Sequence, residues 1–397
     1  MINDVVLAEK IGIEKRCGYW SIGGLYFFDK VECLRYASQN KITNIKYHFF
    51  DSAFNLLDWS KEPSETLPEM YKTRAQQLRD EYDYLILCFS GGADSTNILR
   101  TFTDNNIRLD EIFCDFPVDA LEKTKHKFTY NGNDPAFVSF EWYTSAKPDL
   151  ERLSKTHPEI KLSIYQTNVN EIVSAVENNE YHKYARSSII TPLPRFHKLY
   201  ELARERSKYG RVACIYGVDK PRISYNAHTR KFYSKYSDFT NSFSVFSSDL
   251  FSDSQLSVEF FYYSYNYPQL NQKMSFAIKN SVIGLAARND MNEFKTLLQS
   301  GHNQFYVFEA HHDHFKKALY GDNWDSNKWQ AKKPSDIFHA PSHQWFFDPD
   351  LTSNTLRESY DKQLLELLHG IDGRFIRRNV DGTPASFAYY FTDGIAF

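Results

Sequence analysis

Tyr84-Leu-Ile-Leu-Cys-Phe89, Ser90-Gly-Gly-Ala-Asp-Ser95 and Thr96-Asn-Ile-Leu-Arg-Thr-Phe102 follow one another without a break, and their reading decides the fold. The opening run is too short for a buried helix and carries no charge, which marks a strand covered on both faces, as in a parallel sheet. A glycine pair then turns the chain, and helical period begins at about Asp94. The same alternation recurs downstream. Glu111-Ile-Phe-Cys-Asp-Phe116 reads as a strand ending at Pro117, and Lys161-Leu-Ser-Ile-Tyr-Gln166 as a strand followed by a helix over 170–178. A helix over 195–209 leads into the strand Arg211-Val-Ala-Cys-Ile-Tyr216 and then Gly217. Strand–helix alternation of this kind predicts an α/β fold, a parallel sheet with helices on both faces and ligands at the carboxyl ends of its strands.

Outward from this core the pattern changes. Residues 18–28 read as a strand pair turning at Gly23-Gly24, 30–40 as a short helix and 45–50 as a strand, which gives a small N-terminal α+β unit over 1–62. Helical period fills 63–83, with Leu67, Met70, Tyr71, Ala75 and Leu78 on one stripe. The Ser-, Asp- and Phe-rich stretch 237–257 reads as a long loop or lid, and helical period resumes within 258–298. The expected division is 1–62, an α/β domain over 63–235 and a mostly helical accessory domain over 236–397.

Composition excludes several classes of protein. Of 397 residues, 32 are Phe, 27 Tyr and 6 Trp, far too aromatic for a disordered, collagen-like or linker chain. A mean hydropathy of -0.54, with no apolar run near the length of a bilayer span, argues against a membrane partner. The start shows no apolar stretch of signal-peptide length, so a cytoplasmic location is expected. Five cysteines without CxxC spacing support neither a disulfide framework nor a zinc ribbon.

Each position of Ser90-Gly91-Gly92-Ala93-Asp94-Ser95 has a chemical reason. The glycines let the backbone bend tightly and bring N–H groups against an anion. The helix that opens there adds its positive dipole end and its unbonded first-turn N–H groups. Ser90 and Ser95 offer hydroxyls to phosphate oxygens. Asp94 would repel phosphate by itself but suits Mg²⁺ that arrives with the phosphates. The GxxxxGK[ST] spacing is absent, so this is a different phosphate loop. The bland alternative is a βα turn that merely caps a helix.

These residues resemble the PP-loop ATP pyrophosphatase superfamily, whose signature is SGGxDS after the first strand of a HUP-like sheet. Its members cleave ATP between the α- and β-phosphates and place AMP on a substrate oxygen, from which a nucleophile displaces it. Within it, the helix before the loop strand and a later Gly-x-x-Asp segment look most like the synthase domain of asparagine synthase. The resemblance covers about residues 65–235. It implies an ATP- and Mg²⁺-dependent ligase that adenylates a carboxylate or carbonyl oxygen of a small acid or amide, followed by attack of ammonia or an amine.

The resemblance also implies site residues. Ser90 to Ser95 would hold the pyrophosphate, Gly217 would open the second segment, and Asp219 would be a second Mg²⁺ carboxylate or a plain turn aspartate. Lys220 departs from the family's Glu and suits a direct cation on departing pyrophosphate; Arg222 is a second phosphate contact or, like Lys220, a solvated charge. Adenine would lie near the strand ends at Phe89 and at Phe113 to Phe116, with Cys114 among the contacts. Position 2 is Ile rather than the catalytic Cys of glutamine-hydrolysing relatives, so no glutaminase of its own is expected.

Three further stretches carry two readings each. Between Lys183 and Lys235 stand 13 Lys and Arg against 3 acids, interleaved with tyrosines, which reads as a nucleic-acid or second nucleotide surface or as a solvated face. The rival functions are accordingly base modification of a nucleic acid through an adenylated intermediate, and non-catalytic nucleotide binding. Glu309-Ala-His-His-Asp-His314 has metal-binding residue types, but helical spacing splits them over two faces. Lys328 to Lys333 reads as surface charge or as a lysine delivered to the α-phosphate.

Overall fold

The computed structural model describes residues 18–27, 29–116, 142–166, 178, 195–217, 220–238, 255–296, 298–302, 305–308, 313–325, 353–378 and 384–397. Strands β1 (Tyr19–Ile22), β2 (Leu25–Phe27) and β3 (Lys46–His48) form an antiparallel sheet in the order β2-β1-β3. Gly23 and Gly24, at φ 55° and 87°, make the hairpin turn between the first two. Helix α1 (Lys30–Gln39) starts at Asp29, whose carboxylate accepts from the N–H groups of Val31 and Glu32. A short α2 (Asp51–Phe54) follows.

Helix α3 (Leu67–Glu81) opens with a capping box between Thr66 and Glu69 and delivers the chain to β4 (Tyr84–Cys88). Then come α4 (Ala93–Asp104), β5 (Glu111–Phe116), α5 (Lys147–Thr156), β6 (Lys161–Gln166), α6 (Arg195–Arg206) and β7 (Val212–Tyr216). Strands β8 (Arg222–Asn226) and β9 (Lys231–Lys235) make a hairpin, and β10 (Leu256–Phe260) returns to the first sheet.

The five-stranded sheet has the order β10-β7-β4-β5-β6, and every neighbouring pair is parallel. The chain enters at central β4, works outward through β5 and β6, then returns to lay β7 and β10 on the other side. The direction of winding reverses between β4 and β7, which opens a crevice at their carboxyl ends.

Strand side chains alternate between two cores. Leu85, Leu87, Ile112, Cys114, Ala213 and Ile215 meet α3, α4, α5 and helix α7 (Pro268–Ala287). Ile86, Phe113, Val212, Cys214 and Tyr216 meet α6 and also Trp20, Leu34, Phe49 and Phe54 of the N-terminal sheet and helices. The N-terminal unit thus shares a core with one face of the parallel sheet.

The sheet also draws on chain from both sides of the expected boundary at 235. Residues 256–260, which span the end of the expected 237–257 loop and the start of the expected helical stretch, form edge strand β10, because Leu256, Val258 and Phe260 alternate and the backbone pairs with β7. Helix period begins only at Pro268, in the first turn of α7.

The remaining described elements are α8 (Met291–Thr296), β11 (Leu298–His302), β12 (Phe305–Phe308), α9 (Asp313–Tyr320), α10 (Asn354–Leu368), β13 (Ile376–Arg378), β14 (Pro384–Phe387) and β15 (Ile395–Ala396). A second, antiparallel sheet runs β11-β12-β8-β9-β15. The region past 236 therefore mixes strands with helices, where the sequence suggested mostly helix. No described helix is long and apolar enough to cross a membrane. The expected helix over 170–178, most of the 237–257 loop, Asp219, residues 309–312 and Lys328 to Lys333 lie outside the described residues.

Candidate functional site

The turn after β4 is shaped by one close packing contact and three hydrogen bonds. Gly91 takes φ +76°, a left-handed conformation, and a Cβ there would come 2.6 Å from the Cβ of Ala146. Only glycine meets both demands. Ala146 belongs to a single π-helical turn, Trp142–Ala146, whose Ser145 hydroxyl donates to the Gly91 carbonyl. Within the turn, Ser95 Oγ donates to the Gly92 carbonyl at 3.1 Å, and the Gly92 N–H reaches Ser90 Oγ at 3.3 Å.

Gly92 is the N-cap of α4, and no side chain caps it. The first helical hydrogen bond is Thr96 N–H to Gly92 C=O at 3.0 Å, so the N–H groups of Ala93, Asp94 and Ser95 have no partner within the helix. These donors and the helix dipole point to the carboxyl end of the sheet.

The neighbouring strand comes very close. A Cβ on Gly217, the residue after β7, would sit 3.2 Å from Asp94 Cβ, Ser95 N and Ile98 Cδ1. This tight approach carries the chain to Lys220, whose buried ammonium lies 2.6 Å from Asp94 Oδ2. The hydroxyl of Tyr320, at the end of α9, donates to Asp94 Oδ1. Tyr262, just past β10, donates to the Asp94 backbone carbonyl at 2.9 Å and accepts from Asn97 Nδ2 at 2.9 Å. Tyr71 of α3 packs edge-on to Tyr262.

Burial opposes ionisation of Asp94, but the charge and hydrogen bond of Lys220, the Tyr320 hydroxyl and the charge of Lys316 outweigh it and hold its pKa below the ordinary carboxylate value. Asp94 is therefore an anion at neutral pH. The Tyr71, Tyr262 and Tyr320 hydroxyls are pushed up, first by burial and then by charged or polar neighbours that include Asp94. They stay protonated and serve as donors, not as bases. Two cations, Lys220 and Lys316, act on this one carboxylate, an arrangement that suits an anionic ligand.

No family model, curated protein or solved structure matches this chain. The site therefore stands on its geometry.

Of the residues singled out on sequence, Ser90, Gly91, Gly92, Ala93, Asp94, Ser95, Gly217 and Lys220 come together around the end of β4. Phe89 and Cys114 do not open onto it. They are 2% and 1% exposed, and the Cys114 thiol donates to the Phe89 carbonyl at 3.0 Å, which locks β5 to β4. Neither can wall an adenine in this arrangement, because both side chains fill the core under α4. Arg222 sits on the face of β8, its guanidinium 5.4 Å from the Phe391 ring. Among the described residues no group of three or more His, Cys, Asp or Glu is placed to hold a metal ion. A Mg²⁺ at Asp94 would share that carboxylate with Lys220 and take its other ligands from phosphate and water, the usual mode for this ion.

Sequence reasoning missed Tyr71, Asn97, Ser145, Ala146, Tyr262, Lys316 and Tyr320. Tyr262 was within reach, since it directly follows a parallel strand, and reading 256–260 as that strand places it at the carboxyl end. Tyr320 and Lys316 carry no local signal, because α9 arrives from 226 residues beyond Asp94 in sequence.

Proposed function

We propose that this protein is an ATP-dependent adenylating enzyme of the PP-loop ATP pyrophosphatase type. It activates a carboxylate or carbonyl oxygen of its acceptor with release of pyrophosphate, and ammonia or an amine then displaces AMP. The observation that carries the reading is the Ser90–Ser95 turn at the winding reversal of a parallel sheet, with Lys220 delivered onto Asp94 from the adjacent strand.

In this reading the Ala93, Asp94 and Ser95 N–H groups and the α4 dipole hold the β- and γ-phosphates, as helix N-termini hold anions elsewhere. Ser90, half out of the turn, adds a hydroxyl donor, and Ser95 keeps the turn closed. Asp94 would hold Mg²⁺, which would supply charge neutralisation on the phosphates. Lys220 places its ammonium where negative charge grows as pyrophosphate departs. Tyr320 and Tyr262 orient Asp94 through its carboxylate and its backbone carbonyl, and Tyr71 packs behind Tyr262. Such positioning and charge stabilisation supply most of the rate in phosphate chemistry with no covalent enzyme intermediate.

The test is incubation with ATP, Mg²⁺ and fractionated small acids and amines, read as AMP and pyrophosphate formed. Asp94→Asn keeps the shape and removes the charge, and turnover should fall by about a hundredfold or more. Failure of every fraction to yield AMP, or equal turnover by Asp94→Asn, overturns the enzyme reading.

A further inference from the structure

Residues 220–237 hold five Lys and Arg and no Asp or Glu. The β8–β9 hairpin places Arg222 directly opposite Lys235, so the two cations share one face of the second sheet. Like charges directly opposite destabilise a strand pair. Neither makes an ion pair with a described residue; each faces only an aromatic ring, Arg222 that of Phe391 at 5.4 Å and Lys235 that of Phe305 at 5.8 Å. Gly394 leaves room for the Lys235 stem, since a Cβ there would come 2.6 Å from Lys235 Cε.

Ser224 is the next residue of β8 on this same face, opposite Tyr233. It is 3% exposed, and its hydroxyl has no hydrogen-bond partner. A buried hydroxyl left unbonded is unfavourable, because it has given up water for no partner. A fork-shaped guanidinium, an ammonium and an unsatisfied hydroxyl on one face, with no ion-paired carboxylate among the described residues, form a donor set for a tetrahedral oxyanion.

We propose that Arg222, Ser224 and Lys235 form a second anion site, which binds a phosphate carried by the acceptor substrate. The hairpin starts from the glycine-turn site: Lys220, 2.6 Å from Asp94, stands just before Arg222 in the chain. An acceptor anchored by its phosphate on the hairpin would present its reacting oxygen toward the turn. The acceptor role rests on the adenylation reading; the anion site does not. The phosphate can be a terminal monoester of a small molecule or the diester backbone of a single-stranded nucleic acid.

Calorimetric titration with inorganic phosphate, with ribose 5-phosphate and with an eight-residue deoxythymidine oligonucleotide lacking a terminal phosphate tests this. Wild type should bind phosphate and one of the other two probes, which identifies the source. Arg222→Gln and Lys235→Gln should each weaken that binding about tenfold and Ser224→Ala about threefold, while pyrophosphate binding at the turn is unchanged. Asp94→Asn should leave hairpin binding intact. In phosphate-free buffer Lys235→Gln should melt no lower than wild type, because one of two repelling charges is gone. Phosphate binding that survives in both hairpin variants when the turn is saturated with pyrophosphate, or a lower melting temperature of Lys235→Gln without phosphate, overturns the site and leaves the adenylation reading standing. Loss of phosphate binding in the hairpin variants of a protein that forms no AMP keeps the anion site and removes its acceptor role.

Discussion

The two ends of the parallel sheet each hold a carboxylate paired with a buried cation, and they are built to opposite ends. At the amino end, Glu111 is fully buried and receives four donors. Arg206 gives Nε at 2.7 Å and Nη2 at 3.2 Å, Tyr84 its hydroxyl at 2.8 Å, and Ser163 its hydroxyl to Oε1. At the carboxyl end, Asp94 is 31% exposed and receives one side-chain donor on each oxygen, from Lys220 and Tyr320. Both pairs are short, so distance does not separate them. Satisfaction does: the first network has no capacity left for a ligand, whereas the second borders the unbonded N–H groups of a helix terminus.

The largest expected effect tests the closed end. Arg206→Ala leaves Glu111 charged and buried without its bidentate partner, which should cost about 3–5 kcal/mol in urea denaturation. Burial opposes ionisation of Glu111, but hydrogen bonds from Arg206, Ser163 and Tyr84, together with the Arg206 charge, lower its pKa. A lowered pKa contributes stability that is full above the unfolded value and lost as pH falls through the folded one. The wild-type advantage over Arg206→Ala should therefore shrink as pH drops below about 4.3. Pyrophosphate binding by the folded fraction should not change. A variant that lost stability and site function in proportion would erase the distinction between the two ends.

The second effect falls on the open end. Gly91→Ala meets both a left-handed φ and the Ala146 contact, and a non-glycine residue held so costs about 1–3 kcal/mol. Pyrophosphate binding should weaken about tenfold as the N–H groups turn away. Adding Ala146→Gly removes only the side-chain part of the contact; the backbone N and Cα of residue 146 would still lie 2.8 and 2.9 Å away and the φ is unchanged, so rescue should be slight. Full rescue would mean that packing, not backbone conformation, sets the turn.

The difference between the ends also explains what was legible in the sequence. The turn, β4, β5, β6 and β7 all follow from apolar runs and glycines that lie together in the chain, and they stand where expected. The Glu111 network and the Tyr320 contact join residues far apart, and nothing local in Arg206 or Tyr320 announces a partner. Strand β10 was hidden for another reason. Its run is not uniformly apolar like those of β4 and β7, because Ser257 and Glu259 fill the alternate positions, and the Glu259 charge is held by Arg74 of α3 at 2.6 Å and by the Tyr82 hydroxyl at 2.6 Å. Phe89 and Cys114 were misplaced because strand alternation near the turn decides between core and crevice, and that register is fixed by pairing with β5.

The smallest effect sharpens the comparison most. Tyr320→Phe deletes one of the two side-chain donors on Asp94, together with the hydroxyl's interaction with Tyr262. Asp94 is partly exposed, so water replaces much of the lost hydrogen bond, and stability should fall by only about 1 kcal/mol or less. The hydroxyl helps to lower the Asp94 pKa, so its removal must raise it. The acid limb of pyrophosphate binding in the presence of Mg²⁺ should then move to higher pH, with the plateau at neutral pH weakened a few-fold at most. An acid limb that stays in place would mean that Lys220 alone sets the charge of Asp94 and that Tyr320 only packs. The same deletion at the amino end, Tyr84→Phe, should leave pyrophosphate binding unmoved at every pH, because Glu111 keeps three donors and faces no ligand.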